Sequence, residues 1–116
     1  MPYKRGDVVL VLFPDSNLRS AKRRPALVVQ ADNLNTGLQQ TIVAMITSNM
    51  SRSVHPSRVT LPLDSPEGRL AHILTDSVVM TDNLATIREN EIDRALGKLN
   101  DLTEVEVALR RTLSLP

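Results

Sequence analysis

Short apolar runs separated by polar breaks set the pattern of this chain. Val8 to Phe13 is six apolar residues in a row, too short for a buried helix and suited to a strand covered on both faces. Pro14-Asp15-Ser16-Asn17 breaks the run, and Pro14 to Arg23 reads as a long loop of the kind that often carries function. A second strand, Pro25 to Gln30, begins on a proline that disfavours helix at Arg24. Ala31 to Gly37 is rich in turn residues, and a third strand follows over Thr41 to Thr47. Residues 50–56 form a polar, basic loop.

Arg58 to Leu63 alternates weakly and reads as a fourth strand, closed by Asp64-Ser65-Pro66-Glu67-Gly68. Arg69 to Leu74 fits a short helix or a strand. Ser77 to Met80 is a fifth strand, and Leu84 to Arg88 and Ile92 to Leu99 are shorter β candidates around a helical turn at Glu89-Asn90-Glu91. The last element is a helix over Leu102 to Leu113. Asp101 and Glu104 have capping-box spacing, Val105, Ala108, Leu109, Thr112 and Leu113 share one stripe, and Glu106 and Arg110 form an i,i+4 pair. Strands first and a helix last predict a mainly β fold, a small curled sheet or barrel with one helix packed outside. Without repeat or linker, residues 1–116 read as one domain.

Composition narrows the chemistry. The chain has no cysteine, so thiol nucleophiles, disulfides and iron–sulfur clusters are excluded. No apolar run approaches the roughly 20 residues that span a bilayer, and the start, Met1 to Asp7, turns acidic too early for a signal peptide, so the expected location is cytoplasmic. The net charge of +1 is unevenly spread: residues 1–24 hold six Lys/Arg against two Asp/Glu. A local basic patch on a nearly neutral protein suggests a polyanion contact of limited extent.

That patch centres on Lys22-Arg23-Arg24-Pro25-Ala26-Leu27-Val28-Val29-Gln30, where three cations run into a buried strand. Such a setting holds Arg24 at the mouth of a rigid element, where a planar guanidinium can bond two phosphate oxygens. The alternative is a solvated loop. His55 and His72 stand far apart with no metal-ligand spacing and are read as incidental. Met45, Met50 and Met80 read as packing residues. With Tyr3 and Phe13 the only aromatics, and Phe13 assigned to the core, there is no stacking platform for bases.

Four blocks in order are similar to the MazF/PemK family of toxin endoribonucleases. They are Lys4-Arg5-Gly6-Asp7-Val8-Val9, Arg24-Pro25-Ala26-Leu27-Val28-Val29, Ile42-Val43-Ala44-Met45-Ile46-Thr47, and Asp76 to Ile87, followed by the acidic-capped terminal helix. The resemblance implies an SH3-like barrel with a C-terminal helix, usually a homodimer. It implies a toxin that cleaves single-stranded RNA, often mRNA, at short sequences without a metal or cofactor, and a co-encoded MazE-like antitoxin. The family's catalytic arginine falls on Arg24, its catalytic threonine on Thr47, and an acidic residue that some members use near the RNA on Asp82. Two departures stand out. The loop before Arg24 reads Asn17-Leu18-Arg19-Ser20-Ala21-Lys22, unlike the Gly-Ser-Glu-Gln common in the family. Met80 also stands where some members carry a second catalytic arginine.

RNA carries its own nucleophile, the 2′-hydroxyl, so cleavage needs alignment, charge neutralisation and the handling of two protons. Arg24 suits charge neutralisation, and Thr47 suits a hydrogen bond to a phosphate oxygen or, alternatively, the capping of its own turn. Arg19, Lys22, Arg23, Ser48, Asn49 and Asp82 are candidate RNA contacts. Two other readings stay open: a CcdB-like poison of DNA gyrase, whose C-terminal aromatic Ser114-Leu115-Pro116 lacks, and an inactive RNA- or antitoxin-binding member.

Overall fold

The computed structural model describes residues 1–14 and 21–116, and Arg19 lies outside them. β1 (Asp7–Pro14), β2 (Ala21–Val28), β3 (Gln40–Thr47), β4 (Arg58–Leu61), β5 (Ser77–Arg88) and β6 (Ile92–Lys98) form one sheet in the order β4-β5-β3-β2-β1-β6. Every neighbouring pair is antiparallel. α1 (Pro66–Ala71) sits between β4 and β5, and α2 (Thr103–Leu113) ends the chain. Single 3-10 turns cover Met50–Arg52 and Glu89–Glu91.

The uninterrupted apolar run of β1 is explained by burial on both faces. Val8 stands opposite Leu27, and both enter a cluster with Ala44, Ile46, Val79 and, from α2, Val105. Val9 stands opposite Ala26 on the other face, in a cluster with Val11, Val43, Met45, Ile87 and Ile92. One sheet covers two cores because β5 bends. Ala44 pairs with Leu84 and the next residue, Met45, pairs with Met80, so Thr81-Asp82-Asn83 bulge out of the ladder. Beyond the bulge, Ile87 closes over the second cluster. Thr81 anchors the bend: its N–H and hydroxyl donate to the Ser57 carbonyl (3.0 and 2.6 Å), and the hydroxyl meets Thr112 Oγ1 of α2 at 2.8 Å.

Several boundaries differ from the sequence reading. β2 starts at Ala21, four residues before Pro25, and ends at Val28 rather than Gln30. A proline is tolerated there because the β2–β3 ladder stops at Ala26–Met45, so no donor is required of the next residue on that side. The two β candidates after Ser77 are a single strand whose turn-like residues form the bulge. The segment after Leu61 becomes α1, with Ser65 Oγ accepting the Gly68 N–H (3.0 Å) and Pro66 in the first turn. α2 lacks the expected capping box: Asp101 accepts from the Thr103 hydroxyl (2.6 Å) and N–H (3.0 Å) instead, which holds its carboxyl below its usual range. On the α2 stripe Val105 and Ala108 are buried, whereas Leu113 is exposed. Met45 is buried, Met80 half-buried and Met50 exposed, and the Phe13 side chain lies outside the described part.

Candidate functional site: a cationic groove at the splayed ends of two strands

The paired part of β2 and β3 ends where the site begins. The last pair of that ladder is Ala26–Met45, and Arg24 and Thr47 each lie two residues beyond it. Both line a groove of about 490 Å³ that opens there. Its floor is apolar, from Leu10, Pro25, Ile46 and Leu96. Its polar groups come from five parts of the chain. Arg23 and Arg24 come from β2, Thr47 and Ser48 from the end of β3, His72 and Thr75 from the segment after α1, Ser77 from the start of β5, and Arg94 from β6. No carboxylate is among the described residues that line it. Three arginines and four hydroxyl-bearing residues around an apolar floor suit a phosphodiester with its attached ribose or base.

Burial separates the roles of the arginines. Arg24 is half-buried with its Nε inaccessible, and Val11 is its partner across the β1–β2 ladder. Arg23 is exposed, and so is Arg94, which pairs with its neighbour Asp93 (3.2 Å) at the protein surface. Thr47 Oγ1 accepts the Asn49 N–H at 3.1 Å, the local turn bond that the sequence offered as its alternative role. The two roles are compatible. The bond fixes the hydroxyl oxygen, and the hydroxyl proton can still be donated to a phosphate oxygen.

Of the remaining candidates, Lys22 is exposed on β2, opposite Phe13. Asn49 spends its amide oxygen on the Ser51 N–H (3.2 Å) and hydroxyl (2.7 Å), starting the 3-10 turn, and it does not line the groove. Asp82 lies in the β5 bulge, outside the groove. Arg58 grips it there through Nη2 (2.8 Å) and Nε (3.5 Å), while Arg58 Nη1 reaches the Arg52 carbonyl (3.4 Å). Burial alone would push the Asp82 carboxyl up, but the Arg58 guanidinium, a backbone N–H and Ser57 outweigh it and hold it below its usual range.

The structure divides the two histidines that the sequence set aside together. His55 Nδ1 is tied to Ser57, accepting its N–H at 3.1 Å, whereas His72 lines the groove. His72 and Arg94 come from elements 48 and 70 positions beyond Arg24, a spacing that no local motif spans. The one local signal was the αL position that ends α1, where glycine is the common choice and this chain has His72.

Curled antiparallel strands, a helix at the C-terminus and an arginine-lined groove make this a small barrel protein equipped to hold a polyanion. The chain belongs to the family of PemK-like, MazF-like toxins of type II toxin–antitoxin systems, whose model matches residues 4–113. It is 34% identical over 107 residues, 90% of either chain, to endoribonuclease MazF6 of Mycobacterium tuberculosis. It is 29% identical over 118 residues to endoribonuclease EndoA of Bacillus subtilis, covering 99% of this chain and 97% of that one. The fold matches MazF in a MazE–MazF crystal structure from Deinococcus radiodurans with a TM-score of 0.74 across 100% of both chains, at 23% identity.

Proposed function

We propose that this MazF-type toxin is a metal-independent endoribonuclease that cuts single-stranded mRNA at short sequences, in the cytoplasm and as a homodimer. The observation that carries the reading is that Arg24 and Thr47 line one groove together with Arg23 and Arg94. The phosphodiester lies against Arg24, which neutralises the charge that develops on the phosphorane as the 2′-oxygen attacks. Thr47 donates its hydroxyl proton to a non-bridging oxygen. Arg23, Lys22 and Ser48 hold the flanking backbone. The products are a 2′,3′-cyclic phosphate and a 5′-hydroxyl.

The test uses an unstructured RNA in EDTA with wild-type protein and Arg24→Ala in parallel, sequencing the fragments and assaying their ends. Site-specific cutting that yields cyclic phosphate ends and is lost in the variant is the expected result. Failure of the wild type on varied RNAs would favour the gyrase-poison or inactive reading. The same basic groove accepts an acidic, disordered segment of a MazE-like antitoxin that folds on binding. Titration at rising salt checks this contact: affinity should fall steadily, and a flat response counts against it.

A further inference from the structure

We infer that His72 is the general base of the groove, taking the proton from the attacking 2′-hydroxyl. The inference rests on the reading that the groove cuts RNA. Attack needs a proton acceptor, and the guanidinium groups of Arg23, Arg24 and Arg94 stay protonated throughout. Hydroxyls are poor bases at neutral pH. Among the described lining residues, His72 is the only imidazole, the side chain that most often serves as a general base.

The placement of His72 is built into the fold. It ends α1 at φ 55° and ψ 37°, a left-handed conformation that suits glycine or asparagine better than a bulky side chain. The helix end carrying it has no room to shift. Ala71 is fully buried, and a Cβ on Gly97 of β6 would lie 2.2 Å from the Leu70 carbonyl oxygen, so backbone rests directly on backbone. A Cβ on Gly68 would lie 2.1 Å from the Pro62 carbonyl oxygen, fixing the first turn in the same way. His72 is exposed at the groove that Arg24 and Thr47 also line, and the fixed backbone under it gives its imidazole a set point from which to reach bound RNA.

The step balances without a further reagent. An imidazole nitrogen takes the 2′-hydroxyl proton as the 2′-oxygen bonds to phosphorus. The P–O5′ bond breaks, the 5′-oxygen leaves with a proton from water, and the imidazolium returns its proton to solvent. The charged residues that line the groove with His72 are Arg23 and Arg24 from β2 and Arg94, paired with Asp93, from β6. Glu67 and Arg69 on α1 are exposed.

The experiment compares wild type, His72→Asn and His72→Gly on one unstructured RNA in EDTA across neutral pH, with and without added imidazole. Both replacements accept the left-handed backbone, and thermal melts confirm folding. Cutting should slow by about 100-fold or more in each variant. Binding of the same RNA with a 2′-deoxy residue at the cut site should be preserved, and the limb of the pH–rate profile that reports the base should vanish. Added imidazole should restore cutting by His72→Gly. Variants that cut at the wild-type rate, or slow variants with an unchanged pH profile and no rescue by imidazole, would overturn the role of His72 and leave the nuclease reading intact. A wild type that cuts no RNA would overturn both.

Discussion

The groove and the β5 bulge are both places where the sheet ladder fails, and both hold arginine beside hydroxyl-bearing residues. At the bulge, Arg58 meets Asp82 through two nitrogens, with side chains only 18% and 34% exposed. Thr81 spends its hydroxyl on Ser57 and Thr112. The charge is matched inside the protein, and the corner holds β5 against α2 and the 3-10 turn. At the groove, Arg23, Arg24 and Arg94 gather where no described carboxylate lines the wall. Arg23 and Arg94 are exposed there, open to a polyanion from solvent. An arginine closed against a carboxylate makes a clamp in one place, and arginines exposed at a groove make an anion site in the other.

The largest expected effect is on Arg24. Its replacement by alanine removes a guanidinium aimed at developing charge and should slow cleavage by about 100- to 1000-fold while the melting temperature barely moves, as read from initial rates and a melt. Thr47→Val comes next. Loss of one hydrogen bond to a charged phosphate should lower the rate by roughly 10- to 100-fold, and Thr47→Ser should recover most of it. Arg23→Ala should weaken RNA binding by a modest factor and reduce the slope of log affinity against log salt by about 0.7. Binding measured at several salt concentrations checks this, and an unchanged slope would remove Arg23 from the phosphate contacts.

The smallest effect belongs to the other region. The Asp82 carboxyl lies below its ordinary value of 3.8 in the folded protein, so its pairing stabilises the fold above that pH and is lost as pH falls through the lower folded value. Asp82→Asn should therefore flatten the acid limb of stability against pH, with at most a small change at neutral pH, since a partly exposed pair contributes little. Denaturant melts from acid to neutral pH would show it, and an unchanged acid limb would remove Asp82–Arg58 as the cause.

Much of the groove was legible because Arg24 and Thr47 flank the apolar runs that mark β2 and β3 plainly. The strand start at Ala21 was not. Lys22 to Arg24 look like loop because they are polar, yet there β2 is laddered to β1 alone and its outer side needs no apolar cover. The unity of β5 was hidden because Thr81-Asp82-Asn83 carry turn chemistry and use it in a bulge. His72 and Arg94 were invisible as partners of Arg24 because only the packing of Gly97 under α1 and the pairing of Arg94 with Leu10 bring them to it.

The contrast between the regions is tested most directly by initial cleavage rates of Arg24→Ala and Asp82→Asn on the same RNA, beside wild type. The expected result is a loss of about 100-fold or more for Arg24→Ala and a rate close to wild type for Asp82→Asn. Comparable losses in the two variants, or a larger loss for Asp82→Asn, would contradict the assignment of the groove as the site and the bulge as a clamp.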